Sequence, residues 1–248
     1  MWALSLLSSI YPTAATSSNL LTGSFGPESS SRTECQFTLA GWRVSGSCTA
    51  PWRKHQHVLR VSIHQSALTK FALWLMTTIL PQRLARACIP TAWSLPNTVI
   101  VKKQKPNVEE EFTTELYTYK KLGALQGKQI PICYGEACCD GTRALVLGEV
   151  GGVSLAHHSV LVEMSEEQIK TMILKAYGPM LDQGTAYDDW KPDNLHLVNG
   201  EIVFLDLEWA YDLNEDDREY AVIIGLEAFL ERWKRVRRLY EKYGEIEC

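Results

Sequence analysis

The stretch Tyr187-Asp188-Asp189-Trp190-Lys191-Pro192-Asp193-Asn194, followed by Leu205-Asp206-Leu207-Glu208, decides how this chain of 248 residues is read. Asp189, Lys191 and Asn194 place a carboxylate, a cation and a carboxamide within six residues, and Pro192 keeps the segment out of a continuing helix. Beyond it, Asn199-Gly200 turns a hairpin between the apolar runs 195–198 and 202–205, because both turn residues tolerate positive φ. Asp206 therefore closes a hairpin that leads straight out of the polar loop.

Upstream of the loop, Ser165 precedes Glu166 and Glu167 and a helical period of Ile169, Met172, Ile173, Ala176 and Met180 that runs to Gln183. Gly151-Gly152 separates this helix from an earlier group of elements. Residues 98–101 form a β-branched strand. Asn107 is placed to cap a helix with an acidic first turn and an apolar face of Phe112, Leu116, Tyr119 and Leu122. The runs 130–137 and 144–150 pair as a hairpin turned at Asp140-Gly141. Downstream, 212–243 is amphipathic, with Val222, Leu226, Leu230, Trp233 and Tyr240 inward. The bases over 232–242 suit a helix C-terminus, so no nucleic-acid partner is expected.

With 46% hydrophobic and 22% charged residues the chain can bury a sizeable core, as one large or two small domains. Charge is unevenly spread: residues 1–101 hold eight Lys or Arg and the two acids Glu28 and Glu34, and the remainder holds 17 basic and 27 acidic residues. The asymmetry puts a boundary near residue 97. Residues 1–65 are rich in Ser and Thr and show no sustained period. The expected organisation is thus a poorly ordered or atypical extension over 1–96, with a helix at 66–87 that Pro81 ends or kinks, and a folded domain over 97–248.

Seven cysteines, an odd number without a framework, read as reduced thiols. Adjacent Cys138 and Cys139 point to opposite faces of a strand, which argues against zinc. The first positive side chain is Arg32, so the apolar N-terminus lacks the basic region of a secretory signal. The apolar window 71–80 is too short to cross ~30 Å of hydrocarbon. A cytoplasmic monomer without a transmembrane segment is expected.

With Asp189 and Asn194 in the spacing D-x-x-x-x-N and Asp206 after the next hairpin, residues 97–210 resemble the protein-kinase-like superfamily, most closely the small kinase-like proteins common in fungi. The resemblance implies an α+β, protein-kinase-like bilobal fold: an N-lobe remnant over 97–150 and a reduced helical C-lobe over 151–248, with ATP and Mg²⁺ as cofactors. It implies that Asp189 orients the acceptor hydroxyl, that Lys191 contacts the transferred phosphate, and that Asn194 and Asp206 hold the metal. Val99-Ile100-Val101-Lys102 resembles the strand whose lysine meets the α- and β-phosphates, with Glu115 as its ion-pair partner. Leu145-Val146-Leu147-Gly148-Glu149-Val150 resembles the strand entering the hinge, where backbone groups of Glu149 and Val150 would meet adenine. Each residue taken singly also reads as surface charge; their order carries the resemblance.

The chain departs from that pattern in three ways. No glycine lies between Gly46 and Gly123, so a glycine-rich loop ahead of Lys102 is missing. Tyr187-Asp188 stands for His-Arg and Leu207-Glu208 for Phe-Gly, which makes Glu208 a further carboxylate near the metal position. Only 42 residues follow Asp206, too few for a full lower lobe. Three readings stay open: a phosphotransferase acting on protein Ser or Thr, a pseudokinase or binding scaffold, and a small-molecule kinase of the aminoglycoside or choline type. The acceptor is not legible.

Overall fold

The computed structural model describes residues 33–49 and 57–244, all within the compact unit Ser31–Cys248. The architecture is mixed α/β. Six strands close into an antiparallel barrel in the order β1-β2-β3-β4-β6-β5: β1 (Thr33–Leu39), β2 (Trp42–Thr49), β3 (Val58–Ile63), β4 (Thr98–Lys103), β5 (Cys133–Cys139) and β6 (Thr142–Gly148). Alternate residues of β1, namely Cys35, Phe37 and Leu39, point inward to meet Val61, Val99, Val101 and Val146. Ala40 and Gly41 turn β1 into β2 at φ 49° and 82°, the left-handed geometry of a two-residue hairpin. Gly46 lets β2 lie close to β3, since a Cβ there would fall 2.4 Å from the Ser62 carbonyl oxygen.

The boundary expected near residue 97 does not divide the sheet. β3 pairs with β4 from Val58↔Lys102 to Ser62↔Thr98, so residues before 97 complete the barrel instead of trailing from it, and 97–150 is no free-standing remnant. The reading failed because few large apolar residues mark the inner faces: β1 alternates, but β2 buries only Val44 and Gly46 and β3 only Val61, so the period of two is weak beyond β1. Residues 1–32 of the expected extension lie outside the described residues. The helical stretch at 66–87 is two helices, α1 (Ala67–Ile79) and α2 (Gln82–Cys88), divided at Leu80-Pro81; the Ser66 hydroxyl caps α1 by accepting from Thr69 N.

After β4 the chain enters α3 (Glu109–Lys121). Asn107 is not its cap: at φ 62° it turns the chain one residue earlier, and Val108 takes the cap position without a side-chain bond. Three acids in the first turn and Lys120 and Lys121 in the last suit the helix dipole. The remaining elements are β7 (Val153–Ser154), α4 (His158–Glu163), α5 (Glu166–Asp182), β8 (Thr185–Tyr187), β9 (Leu195–Val198), β10 (Glu201–Phe204), β11 (Ala210–Asp212) and α6 (Arg218–Tyr243). A capping box of Ser165 and Gln168 starts α5, satisfying two backbone donors reciprocally. Its Ile169, Ile173, Tyr177 and Met180 share a core with Phe204, with Phe229 and Trp233 of α6, and with Phe112 and Tyr119 of α3. Trp233 Nε1 donates to the Leu155 carbonyl oxygen at 3.1 Å, so its one polar group is satisfied inside that core.

Candidate functional site

The loop after β8 is held by the residue at its centre. Trp190 is buried and packs edge-on against Tyr177, Tyr187 and Phe204 at 5.0, 5.5 and 5.9 Å between ring centroids. Gly225 of α6 admits the indole, because a Cβ there would lie 2.5 Å from the ring. With Trp190 turned inward, Asp189 stays buried and the Lys191 side chain keeps 58% exposure. Asp189 Oδ2 accepts from Lys191 Nζ at 2.8 Å and from Asn194 Nδ2 at 2.7 Å. All three polar residues of the loop thus form one hydrogen-bonded set.

Two bonds tie this loop to the residue before Asp206. Leu205 N donates to the Asn194 carbonyl oxygen at 2.7 Å, and the Tyr187 hydroxyl donates to the Leu205 carbonyl oxygen at 2.9 Å. Asp206 itself adopts φ 55° and ψ 75°, a left-handed conformation that costs a non-glycine residue about 1 kcal/mol or more. That turn carries its carboxylate to Lys102 of β4.

Lys102 Nζ lies 2.7 Å from Glu115 Oε2, 2.5 Å from Asp206 Oδ1 and 3.5 Å from Glu208 Oε2. Lys105 Nζ in turn donates to both Glu208 oxygens at 3.0 and 3.3 Å. Burial disfavours the Lys102 ammonium, yet Glu115, then Asp206 and Glu208, outweigh it and raise its pKa above the ordinary lysine range. Burial also raises the Glu115 pKa, and Lys102 offsets part of that rise. Glu115 Oε1 is buried without a hydrogen-bond partner, so Lys102 is what compensates this carboxyl group.

The structure therefore gathers Lys102, Glu115 and Asp206 into one ionic cluster and Asp189, Lys191 and Asn194 into a second, adjoining one. Glu149 and Val150 follow β6 outside any strand, and the Glu149 carboxylate pairs with Arg60 of β3 at 2.5 and 3.1 Å. Sequence reasoning missed Lys105, whose signal was the run Lys102-Lys103-Gln104-Lys105. It also missed Trp190, a large apolar residue set between two charges, and Gly225, a glycine among helix formers.

Glu115, Asp206 and Glu208 each present an oxygen, and these lie within 4.8 Å of one another. All three donors are carboxylate oxygens, the ligand type a hard divalent cation takes. Lys102 already compensates the buried Glu115, whereas the Asp206 side chain keeps 29% exposure, so Asp206 is the most open of these three carboxylates to a cation. Cys138 is exposed and Cys139 buried, on opposite faces of β5.

No described protein family and no curated protein matches this sequence. Among solved structures, the crystal structure of a point mutant of the Mycobacterium tuberculosis PknI kinase domain matches with a TM-score of 0.42 and 15% identity, over 55% of this chain. The match spans 65% of that domain's own length.

Proposed function

We propose that this chain is a two-lobed, kinase-like phosphotransferase that moves the γ-phosphoryl group of ATP, with Mg²⁺, to the hydroxyl of a protein Ser or Thr. One observation carries the reading: Lys102 joins Glu115 of α3 to Asp206, while Asp189, Lys191 and Asn194 form a bonded set tied to the same turn through Leu205. Magnesium-bound ATP supplies the transferable phosphoryl group. Lys102 would neutralise phosphate oxygens, and Asn194 and Asp206 would hold the cation. Asp189, fixed as a hydrogen-bond acceptor, would orient the acceptor hydroxyl and take its proton as the new P–O bond forms and the bond from the γ-phosphorus to the β,γ-bridging oxygen breaks, releasing ADP. The exposed Lys191 would lie against the moving group. Backbone groups of Glu149 and Val150 would face adenine.

The test is transfer of labelled phosphate from ATP to generic protein substrates and to a panel of hydroxylated and aminated metabolites. Asp189→Ala should lower the rate by about 10²–10⁴-fold. Transfer that survives this substitution unchanged would overturn the assignment, and label appearing only on a metabolite would move the acceptor to the small-molecule class.

A second reading, a fold that binds without transferring, is favoured by the connection between β2 and β3. It reads Ala50-Pro51-Trp52-Arg53-Lys54-His55-Gln56-His57 and has no glycine to let backbone amides approach phosphates. Thermal shift separates the readings: nucleotide at 100 times its Kd stabilises the fold by about 2.7 kcal/mol. A shift without transfer supports a nucleotide-binding pseudokinase, and no shift at saturating nucleotide removes the phosphotransferase and leaves only a scaffold that does not bind ATP.

A further inference from the structure

α1 turns its most apolar face to water. Leu68, Phe71, Leu75 and Ile79 recur at helical spacing and are 81%, 60%, 39% and 67% exposed. Trp74 flanks them, its ring 5.9 Å from that of Phe71. No residue of α1 is buried; Thr69, Ala72, Leu73 and Met76, on the opposite side, are only half-covered. At 1.5 Å per residue the helix is ~20 Å long, so the stripe is a contiguous apolar surface of the kind that marks an interaction site.

The surrounding charge selects what covers it. α1 and α2 hold Lys70, Arg83 and Arg86 and no acid, whereas the chain as a whole carries a net charge of -4. Lys70 on α1 and Arg83 on α2 are both exposed. Aromatic and aliphatic side chains flanked by cations are the composition of a helix that lies in a membrane interface. No helix among the described residues is long and apolar enough to cross a membrane. A second copy is the poorer occupant, because a twofold contact through α1 would set Lys70 and Arg83 against their own counterparts, and neither α1 nor α2 carries an acid to offset them.

We infer that α1 docks in the plane of an anionic lipid surface, with Leu68, Phe71, Trp74, Leu75 and Ile79 in the acyl boundary and Lys70 and Arg83 at the headgroups. The docking is independent of phosphoryl transfer. The test is co-sedimentation of the full chain with phosphatidylserine–phosphatidylcholine vesicles and with pure phosphatidylcholine vesicles. The full chain should bind the anionic vesicles about tenfold or more tightly than the neutral ones, and raised salt should narrow the difference. Phe71→Ser, Trp74→Ser and Leu75→Ser combined should abolish binding to both while the unfolding transition stays in place. Lys70→Glu with Arg83→Glu keeps the apolar face, should remove only the anionic preference, and serves if the triple variant fails to fold. Absence of binding by the full chain, or undiminished binding by a folded triple variant, overturns the inference. So does a dimer in sedimentation that the triple variant returns to monomer while vesicles stay unbound, since that assigns the face to a second copy.

Discussion

Lys102 is the residue on which the ionic cluster depends. It is 11% exposed at the side chain and, among the described residues, is the only cation bonded to Glu115, which is 1% exposed and keeps one oxygen unpaired. Replacing it with an apolar side chain leaves a buried carboxylate uncompensated, a change that costs about 3–5 kcal/mol. We expect Lys102→Met to lower stability by that order in urea unfolding. The native Glu115 pKa is raised, chiefly by burial, so the stability its proton contributes is present below the ordinary carboxyl range and lost as pH rises through the native value. Without Lys102 that loss deepens, so the deficit should be larger at about pH 8 than at about pH 5, and Glu115→Gln in the same background should recover much of it. A deficit independent of pH would show that Lys102 acts through packing alone. The Lys102–Glu115 pairing was expected only through the resemblance of residues 99–102 and the helix after them to a lysine strand and its glutamate partner. Capture of Glu208 by Lys105 was not, because those residues stand 103 apart and only the turn after β10 brings them together.

At the scale of elements, the loop carrying Asp189 and Lys191 rests on α6 through the contact of Trp190 with Gly225. Gly225→Ala would place a methyl carbon 2.5 Å from the indole, and overpacking of this kind costs about 1–3 kcal/mol. We expect that loss in thermal unfolding, and Trp190→Phe should destabilise the Gly225→Ala protein less than the wild type, since each substitution relieves the other. Additive effects would show that the loop and α6 relax independently. Ser165→Ala, which breaks the capping box of α5, should cost about 1 kcal/mol in the same measurement. Elements with their own start or turn chemistry were readable: Ser165 for α5, Asp140-Gly141 for the β5–β6 hairpin, Asn199-Gly200 for β9–β10. The β1–β2 hairpin was not, because Ala40 is an unusual residue at φ 49° and announces no turn.

At the scale of the whole molecule, the barrel joins residues on both sides of the compositional boundary. β4 lies between β3 and β6, so removing residues 1–96 would strip β4 of one neighbour and expose Val99 and Val101, both fully buried in the intact chain. We expect a 97–248 fragment to lose cooperative unfolding, seen as a broad thermal transition, and to aggregate where the full chain stays dispersed. A fragment that melts as sharply as the full chain would restore the boundary near residue 97. The same stretch before residue 97 that completes the barrel also presents α1 outward, and the proposed membrane contact belongs to this scale.

By itself the sequence determined what chemistry over a few residues settles: the hairpin turns, the cap of α5, and the order of Lys102, Glu115, Asp189, Lys191, Asn194 and Asp206 along the chain. Such signals are set by backbone torsions and by bonds spanning three or four residues, and they survive in any fold. Tertiary structure alone decided that Lys102 and Asp206, 104 residues apart, meet at 2.5 Å, that β1–β3 close a barrel, and that an apolar helix faces water. Those outcomes depend on which buried faces find one another, and the alternation of a strand marks its inward face without recording its partners.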